Sequence, residues 1–197
     1  MFYDAVENNH GLKHDPFKAL VVPRPIGWIS SLSADGVLNL APYSFFNAVS
    51  SRPNVVLFAS GGRKDSLENA EATGEFVCNM ATWDLRDQMN ETSASVGSEV
   101  DEAELAGLEM APSRLVKPPR VAASPVALEC KYLQTVTLPP SNGAVNAVVF
   151  GHVVGIHIDD TVIEDGLVDV ARFKPIARLG YHDYAVVDEL FSMKRPG

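Results

Sequence analysis

The sequence predicts a mainly β protein, built as an antiparallel barrel with small helical additions. About six or seven segments show the short apolar or alternating pattern that is typical of β-strands. Two or three short segments show a helical pattern, and strands and helices do not alternate regularly, which disfavours a parallel sheet of βαβ units. We expect residues 1–197 to form one domain, with a core over about 18–96 and 120–187 and an excursion over about 97–119.

The first strands are predicted on either side of turn signals. After an ordered element at 18–22, the sequence Pro-Arg-Pro imposes an extended turn, because each proline fixes its own φ and restrains the residue before it. A strand is expected at 26–33, and an Ala-Asp-Gly turn then leads into a returning strand and a loop at 37–46. The continuous apolar run at 54–60 predicts a strand that is buried on both faces.

A short helix is predicted at 65–73. Asp65 is a good N-cap, and Glu68 lies three residues later, as in a capping box. Gly74 occupies the position where a glycine commonly ends a helix. A further strand is expected directly afterwards, at 75–80.

The second half of the chain contains the excursion and the longest strands. The stretch at 97–119 is acidic and then proline-rich, and we expect it to lie outside the barrel with a short helix near 101–106. The other expected elements are a helix at 83–95, strands at 126–138 and 147–158, a loop at 138–146 and a closing segment at 173–187.

Composition limits the class of protein. The net charge is 16 − 25 = −9, so we expect no affinity for nucleic acid or an anionic membrane, and an anion site must be local. No apolar run is long enough for a signal peptide or a membrane span, which favours a cytoplasmic location. Cys78 and Cys130 each lie in an apolar run and are expected to be buried thiols, not a disulfide or metal ligands.

The stretch Ala59–Phe76 combines features of an anion site. Two glycines precede Arg63 and Lys64, and Ser66 follows at the start of the predicted helix. The spacing is not that of a P-loop, and no Gly-x-Gly-x-x-Gly motif follows a strand, so a Rossmann site is disfavoured. Free N–H groups and the dipole at a helix N-terminus favour an anion such as phosphate. The alternative is a pair of solvent-exposed cations beside a well-capped helix.

A second group of polar residues lies earlier in the chain. Ser30, Ser31 and Ser33 fall on a predicted strand, and Ser44 belongs to "APYSFFNAVS", which offers backbone amides near aromatic rings. A planar ring with polar edges could stack there while loop amides bond its carbonyls and nitrogens. The alternative is that these serines are turn and edge residues.

Taken together, these segments resemble a known family. The stretches "RPIGWISSLSADGVLNLAPYSFFNAVSSRPNVVLF", "KDSLENAEATGEFVCNM", "VVFGHVVGIHI" and "IARLGYHDY" occur in this order. They are similar to the flavin reductase-like family of FMN-binding split β-barrels, in the branch that includes flavoredoxin-like proteins. The likeness covers about 20–186. It implies a six-stranded Greek-key split barrel that forms a homodimer, with FMN bound near the subunit interface.

The resemblance also implies which residues contact FMN. The residues at the helix start would hold the 5′-phosphate, the serines of the first strand would lie against the ribityl chain and phosphate, and the loop after the second strand would face the isoalloxazine ring. No side chain need act as a catalytic acid or base, because the flavin supplies the chemistry. The implied cofactor-binding residues are Ser30, Ser31, Ser44, Phe45, Phe46, Asn47, Ser60, Arg63, Lys64, Ser66, His152 and Tyr181.

Several aromatic and imidazole residues leave alternatives open. Tyr181 stands where family members often have the second glycine of Arg-Leu-Gly-Gly; it could stack over the ring and restrict access, or be an interface aromatic. His152 could approach the flavin, or be a barrel histidine bonded to backbone, and His182 is a weaker candidate of the same kind. His152 and His157 are five residues apart, which predicts opposite strand faces and argues against a shared metal ion.

The resemblance implies an NAD(P)H-dependent flavin reductase that transfers hydride through FMN, with NADH or NADPH as substrate and a monooxygenase as a potential partner. The alternative is a flavoredoxin-like electron carrier, whose acidic surface would suit a basic protein partner. A barrel that has lost flavin binding is disfavoured by the intact "KDS", "APYSFF" and "ISS" segments. The excursion could cover the nicotinamide face or only decorate the barrel.

Overall fold

The structure, a computed structural model, describes residues 1–141 and 143–197. The strands are β1 (Arg24–Pro25), β2 (Gly27–Leu32), β3 (Leu38–Tyr43), β4 (Phe46–Ser51), β5 (Asn54–Gly61), β6 (Glu75–Met80), β7 (Met110–Ala111), β8 (Arg120–Val121), β9 (Val126–Ser141), β10 (Ala144–Ile158), β11 (Ile163–Glu164), β12 (Leu167–Val168), β13 (Ile176–Arg178) and β14 (Tyr184–Val186). The helices are α1 (Phe17–Leu20), α2 (Asp65–Thr73), α3 (Arg86–Glu91), α4 (Glu102–Leu105) and α5 (Val170–Phe173), and a 3-10 turn covers Asp160–Val162. None of these helices, in the part of the chain that the structure describes, combines the length and apolar character needed to cross a membrane.

The described residues form one large antiparallel sheet with the strand order β3-β2-β6-β9-β10-β5-β4, together with smaller sheets of β1-β13-β14, β7-β8 and β11-β12. Its centre is the long hairpin of β9 and β10. The edge strands β3 and β4 are consecutive in sequence, and β3 also contacts β5. The amide of Ala59 on β5 donates to the carbonyl of Phe45, between β3 and β4, at 2.8 Å. The sheet therefore curls until its two ends approach each other, which makes it a barrel.

The strands differ from the prediction at two places. The large sheet has seven strands instead of six, because β4 occupies residues that the sequence does not mark as a strand. The loop predicted at 138–146 is largely wrong, since β9 continues to Ser141 and β10 begins at Ala144; Asn142 lies outside the described residues. Pro139 and Pro140 lie at a register shift between β9 and β10, where a strand tolerates proline, and this is why the composition resembles a loop.

The prediction that 54–60 is buried on both faces is wrong for the single chain. Val56, Phe58 and Ser60 are buried, whereas the residues between them are only partly buried. This partly exposed face of β5 continues onto the paired residues of β10 and, beyond it, of β9. We call this surface the outer apolar face, and it consists of Leu57, Ala59, Val136, Val148 and Phe150.

The inner side of the barrel is a packed apolar core. The rings of Phe58 and Phe76 meet edge to face, with centroids 5.4 Å apart. A Cβ atom at Gly151 would lie 2.3 Å from the ring of Phe76, so this close approach requires glycine. Cys78 and Cys130 lie in the same core as free thiols, which confirms the predicted burial of both.

Two helices are attached to the barrel by a second apolar cluster. Trp28 on β2 is fully buried there, and its indole Nε1 donates to the hydroxyl of Thr92 at 2.9 Å. Met89 of α3 and Ala103 of α4 pack into the same cluster. The helix predicted at 83–95 is present but shorter, as α3.

The excursion is held onto the barrel by buried carboxylates. Asp101 caps α4 by accepting the amides of Ala103 and Glu104, and Glu102 accepts the amide of Leu40 on β3 at 2.9 Å. These bonds place α4 directly beside β3.

A β-bulge changes the histidine geometry. The register between β9 and β10 shifts between Val153 and Gly155, which inserts an extra residue. His152 pairs with Lys131, and His157 contacts the carboxylate of Glu129, two residues away on the same face of β9. The prediction that the two histidines lie on opposite faces is therefore wrong. Within the described ranges, no group of three or more His, Cys, Asp or Glu side chains could hold a metal ion.

Candidate functional site

A groove of about 620 Å³ runs along β3 and past the first turn of α2. One end lies at the start of α2, and the other lies at the turn between β3 and β4. The segment 92–96, after α3, forms the opposite wall. The groove lining includes Lys18, Asn39, Ser44, Phe45, Lys64 and Glu102.

The first turn of α2 forms the anion end of the groove. Lys64 is the N-cap residue, in an extended conformation, and its side chain makes no capping hydrogen bond. The prediction that Asp65 is the N-cap is therefore wrong, since Asp65 is the first helical residue. The prediction that Gly74 ends the helix is confirmed, and Gly74 has the αL conformation. A helix start without a side-chain cap leaves amide N–H groups that can bind an anion. Lys64 makes no salt bridge within the described residues.

Arg63 lies beside this end but is engaged elsewhere. Its guanidinium bonds Glu71 at 2.7 Å and Glu68 at 3.2 Å. The hydrogen bond and charge of Glu71, followed by those of Glu68, raise the pKa of Arg63. Two carboxylates thus balance its charge, which leaves Lys64 as the better placed cation for a bound anion.

Asn39 on β3 is held at the groove by buried hydroxyls. Its side-chain amide donates to Ser66 at 2.8 Å and to Ser31 at 3.2 Å, and Asn69 donates to Ser31 as well. Ser31 and Ser66 are almost completely buried, so in this conformation they position Asn39 from behind. Asn39 is not among the residues that the sequence predicts for the site. The available signal is an asparagine between two leucines of a strand, opposite a serine on the neighbouring strand.

Ser30 and Ser60 make internal hydrogen bonds. The hydroxyl of Ser30 is fully buried and donates to the carbonyl of Pro119, at the end of the excursion, at 2.5 Å. Ser60 donates to the carbonyl of Gly62 at 2.8 Å, which shapes the turn before α2. Burial raises the pKa of the neighbouring Tyr43, although hydrogen bonds with Ser66 and Ser60 oppose this.

The turn between β3 and β4 forms the other end of the groove. Ser44 and Phe45 line it, and 42% of Phe45 is exposed. Phe46 turns into the barrel and packs against the core. Asn47 lies exposed on β4, outside the groove lining, and accepts the amide of Ala48 at 2.9 Å.

An adjoining cavity of about 680 Å³ opens from this second end. It shares Lys18, Pro42, Ser44 and Ser93 with the groove. Tyr181 lines the cavity with a φ of 55°, in the left-handed region that favours glycine.

The wall of the adjoining cavity depends on close backbone packing. A Cβ atom at Gly180 would lie 2.4 Å from the Cβ atom of Ala19 on α1. Glycine at this position therefore lets α1 pack against the turn that carries Tyr181. The ring of Tyr181 also contacts that of His14, with centroids 5.6 Å apart.

His152 lies away from both spaces within the chain. It pairs with Val55 on β5, whereas Ser60, near the groove, pairs with Ala147. Five residues of strand separate the two positions, or about 17 Å. Neither the groove nor the adjoining cavity is lined by His152.

The structure thus brings together only part of the predicted set. The groove is lined by Ser44, Phe45, Arg63 and Lys64, and the adjoining cavity by Ser44 and Tyr181. Behind these walls or inside the barrel lie Ser30, Ser31, Phe46, Ser60 and Ser66.

Glu102 adds a negative group to the groove. Burial raises its pKa, the amide of Leu40 lowers it, and the charges of Asp65 and Asp101 raise it again, so that the net shift is upward. The excursion therefore does more than decorate the barrel, because it supplies a carboxylate to the groove wall.

The chain belongs to the family described as "Flavin reductase like domain", a group of flavin-related oxidoreductases, whose model matches residues 19–179. A solved structure of nitrilotriacetate monooxygenase component B from Bacillus cereus is 30% identical with a TM-score of 0.89, covering 98% of each chain. A 2-nitrobenzoate 2-nitroreductase from Pseudomonas fluorescens is 28% identical with a TM-score of 0.86, covering 100% of this chain and 96% of that one. A split-barrel structure from Shewanella frigidimarina, 20% identical, covers both chains completely with a TM-score of 0.87. The predicted mainly β, antiparallel split barrel is confirmed.

Proposed function

We propose that this chain is an NAD(P)H-dependent flavin reductase that binds FMN in the groove. The observation that carries the proposal is the groove itself, which leads from an uncapped helix start with Lys64 to the Ser44–Phe45 turn and then into a second cavity. A phosphate, a polar chain and a ring placed in that order would occupy the groove. Bound FMN would supply hydride transfer, while the protein supplies position and electrostatics.

The groove residues fit the parts of FMN. Lys64 and the first amides of α2 would hold the 5′-phosphate, because charge-assisted hydrogen bonds at a helix N-terminus favour an oxyanion. Asn39, oriented by Ser31 and Ser66, would bond the ribityl chain. Ser44 and Phe45 would border the isoalloxazine ring. The other predicted contacts would support FMN binding in other ways: by packing, by positioning neighbouring residues, or as part of a second copy of the chain. They are Ser30, Phe46, Asn47, Ser60, Arg63 and His152.

The adjoining cavity would receive the reductant. It meets the groove at Pro42 and Ser44, where the ring would lie. A nicotinamide entering there would pass Tyr181, which is half exposed at the cavity wall. NADH or NADPH is therefore the proposed substrate.

We infer that the working form is a homodimer. The outer apolar face is only partly buried in the single chain, and Val136 on it is 42% exposed. A second copy would bury this surface and provide the two-sided burial that the apolar run at 54–60 leads one to expect. Cys78 and Cys130 are free thiols, which suits a reducing compartment such as the cytoplasm.

An electron carrier of the flavoredoxin type is the second candidate, because the net charge of −9 suits a basic protein partner. The likeness to a monooxygenase component B favours the reductase, with reduced FMN passed to a monooxygenase.

An anaerobic visible spectrum of the purified protein tests the proposal. With FMN added, we expect flavin absorption near ~450 nm that NADH or NADPH bleaches promptly. Flavin bands that neither nucleotide bleaches would favour the carrier. A protein that gains no flavin bands with FMN would contradict both functions.

A further inference from the structure

The adjoining cavity has a cationic wall that lies outside the groove proposed for FMN. Arg24 lines it and is only 6% exposed. Its guanidinium donates to the carbonyls of Lys18, Val21 and Leu179, the last two at 2.6 and 2.8 Å. These carbonyls orient the group but carry no net charge to balance it. Its Nε is buried without a hydrogen-bond partner in the described part of the chain.

A second guanidinium lies in the same cavity. Arg178 stacks over the ring of Tyr184, 4.5 Å from its centroid, and donates to the carbonyl of Tyr181. Arg24 on β1 pairs directly with Arg178 on β13, and burial, followed by the charge of Arg178, lowers the pKa of Arg24. Within the described residues, neither arginine forms a salt bridge.

The remaining charged groups do not balance this pair. Lys18 adds a third cation to the lining, and Asp15 is the acidic residue of the described lining. Arg24 is the buried member of this pair, and a buried charge without a counter-ion is unfavourable. In a protein with a net charge of −9, a local excess of cations beside the groove indicates a site for an anion.

We propose that Arg24 and Arg178 bind an oxyanion of the substrate that reacts with the flavin. This inference rests on the proposed function, since it assigns the chemical class of the substrate. A guanidinium binds a carboxylate or phosphate through two parallel N–H groups. The walls also carry Phe17, Tyr181 and Tyr184, which suit a flat, aromatic body attached to that anion. The carboxylate of an aromatic acid and the phosphate of a nicotinamide dinucleotide share this chemistry.

Calorimetric titration of the FMN-loaded protein, and of the flavin-free protein in parallel, tests the inference. Benzoate probes the carboxylate, 2′,5′-ADP probes the phosphate, and neutral benzamide is the control ligand. We expect at least one anion to bind roughly tenfold or more tightly than benzamide. Arg178→Gln should remove that preference, because it retains a polar side chain but loses the charge. Arg172→Gln is the matched control, since Arg172 is exposed and bonds Glu164 outside the cavity.

Each outcome of the titrations either supports the oxyanion site or overturns it. A preference for benzoate assigns an aromatic acid, and a preference for 2′,5′-ADP assigns a dinucleotide. The inference is overturned if neither anion binds better than benzamide, or if Arg178→Gln leaves the preference intact. Should Arg178→Gln fail to fold, Lys18→Gln serves as the second variant, with a smaller loss expected. Failure of the proposed function would appear separately, as absent flavin bands in a protein that still binds the anion.

Discussion

Individual side chains around the groove divide into those that line it and those that hold the lining in place. Lys64 and Phe45 belong to the first kind. Ser31 and Ser66 belong to the second, because their hydroxyls are buried against the amide of Asn39. Residue type alone predicts a hydroxyl near the cofactor in both cases. Only the packing of β2, β3 and α2 decides whether that hydroxyl faces the groove or the interior.

Lys64→Ala should weaken FMN binding selectively. If the ammonium bonds the 5′-phosphate, its loss costs about 1.5–3 kcal/mol, which is roughly a ten- to hundredfold increase in the Kd of FMN. Riboflavin lacks the phosphate, so its Kd should change little. Fluorescence titration with both flavins measures the difference. Lys194→Ala, an exposed lysine near the chain end, is the control; equal losses for both flavins would exclude the phosphate role.

Tyr181→Gly should increase the rate of NAD(P)H oxidation if the ring narrows the adjoining cavity. The backbone at this position has a φ of 55°, which glycine adopts without strain, so we expect the free energy of unfolding to change by less than about 1 kcal/mol. Steady-state oxidation of NADH and NADPH is the measurement, with Tyr181→Phe as a control that retains the ring. An unchanged rate together with a weakened dimer would favour the interface interpretation.

Among the secondary-structure elements, α4 makes the excursion part of the groove wall. It is a helix of four residues, Glu102–Leu105, too short to be stable alone. Its position depends on the Asp101 cap, on Ala103 in the apolar cluster and on the bond from Leu40 to Glu102. That last bond brings a buried carboxylate to the groove wall.

Glu102→Gln should make stability less dependent on pH. The folded pKa of Glu102 lies above 4.5 because of burial, so the folded state binds its proton more readily. The stability from this group is fully present below the unfolded pKa and is lost as pH rises through the folded pKa. The variant should therefore unfold at higher urea than the native protein at pH 8, and the gap should close as the pH falls towards 4.5. It should also bind FMN more tightly at pH 8, because a negative group leaves the groove.

Glu104→Gln is the matched control for this experiment, since Glu104 lies on the same helix and is exposed. If the difference in urea midpoint between Glu102→Gln and the native protein stays constant from pH 5 to 8, the raised pKa of Glu102 is contradicted.

Elements with strong local signals are predictable from the sequence, and those defined by distant contacts are not. The helix α2 and the strands β2, β5 and β6 match their predicted segments closely. In contrast, β4 is a polar edge strand that exists because it pairs with β5. The cationic cavity joins Arg24 to Arg178, which are 154 residues apart, so no local pattern indicates it. The β-bulge after Val153 is likewise a property of strand pairing, and it reverses the side on which His157 lies.

At the scale of the whole molecule, two features of the surface bear on which partners it can bind. The net charge is −9, and like charges repel, so we expect contact with anionic surfaces to be disfavoured. The outer apolar face, by contrast, places Val136, Val148 and Ala59 side by side across three strands. Contiguous apolar surface of this kind commonly marks an interface between proteins.

Val136→Asp should convert the proposed homodimer into single chains. The residue is 42% exposed, so the single chain tolerates a carboxylate there, whereas a buried interface does not. Sedimentation velocity at several protein concentrations measures the change, and the native chain should sediment as two copies. Leu167→Asp, at a 73% exposed position on β12, should have no effect. A native chain that sediments as a single copy would contradict the dimer.

The three carbonyl bonds of Arg24 also have a consequence for local unfolding. Lys18 and Val21 belong to the segment before the barrel, while Leu179 belongs to the segment that follows it. If either segment detaches, the guanidinium loses part of its acceptors and no longer links the two segments. The two ends of the chain should therefore open as one cooperative unit, with similar amide hydrogen-exchange rates in both. Such an opening would also remove the walls of the cavity between the two segments. Bound substrate should therefore slow amide hydrogen exchange in both segments together.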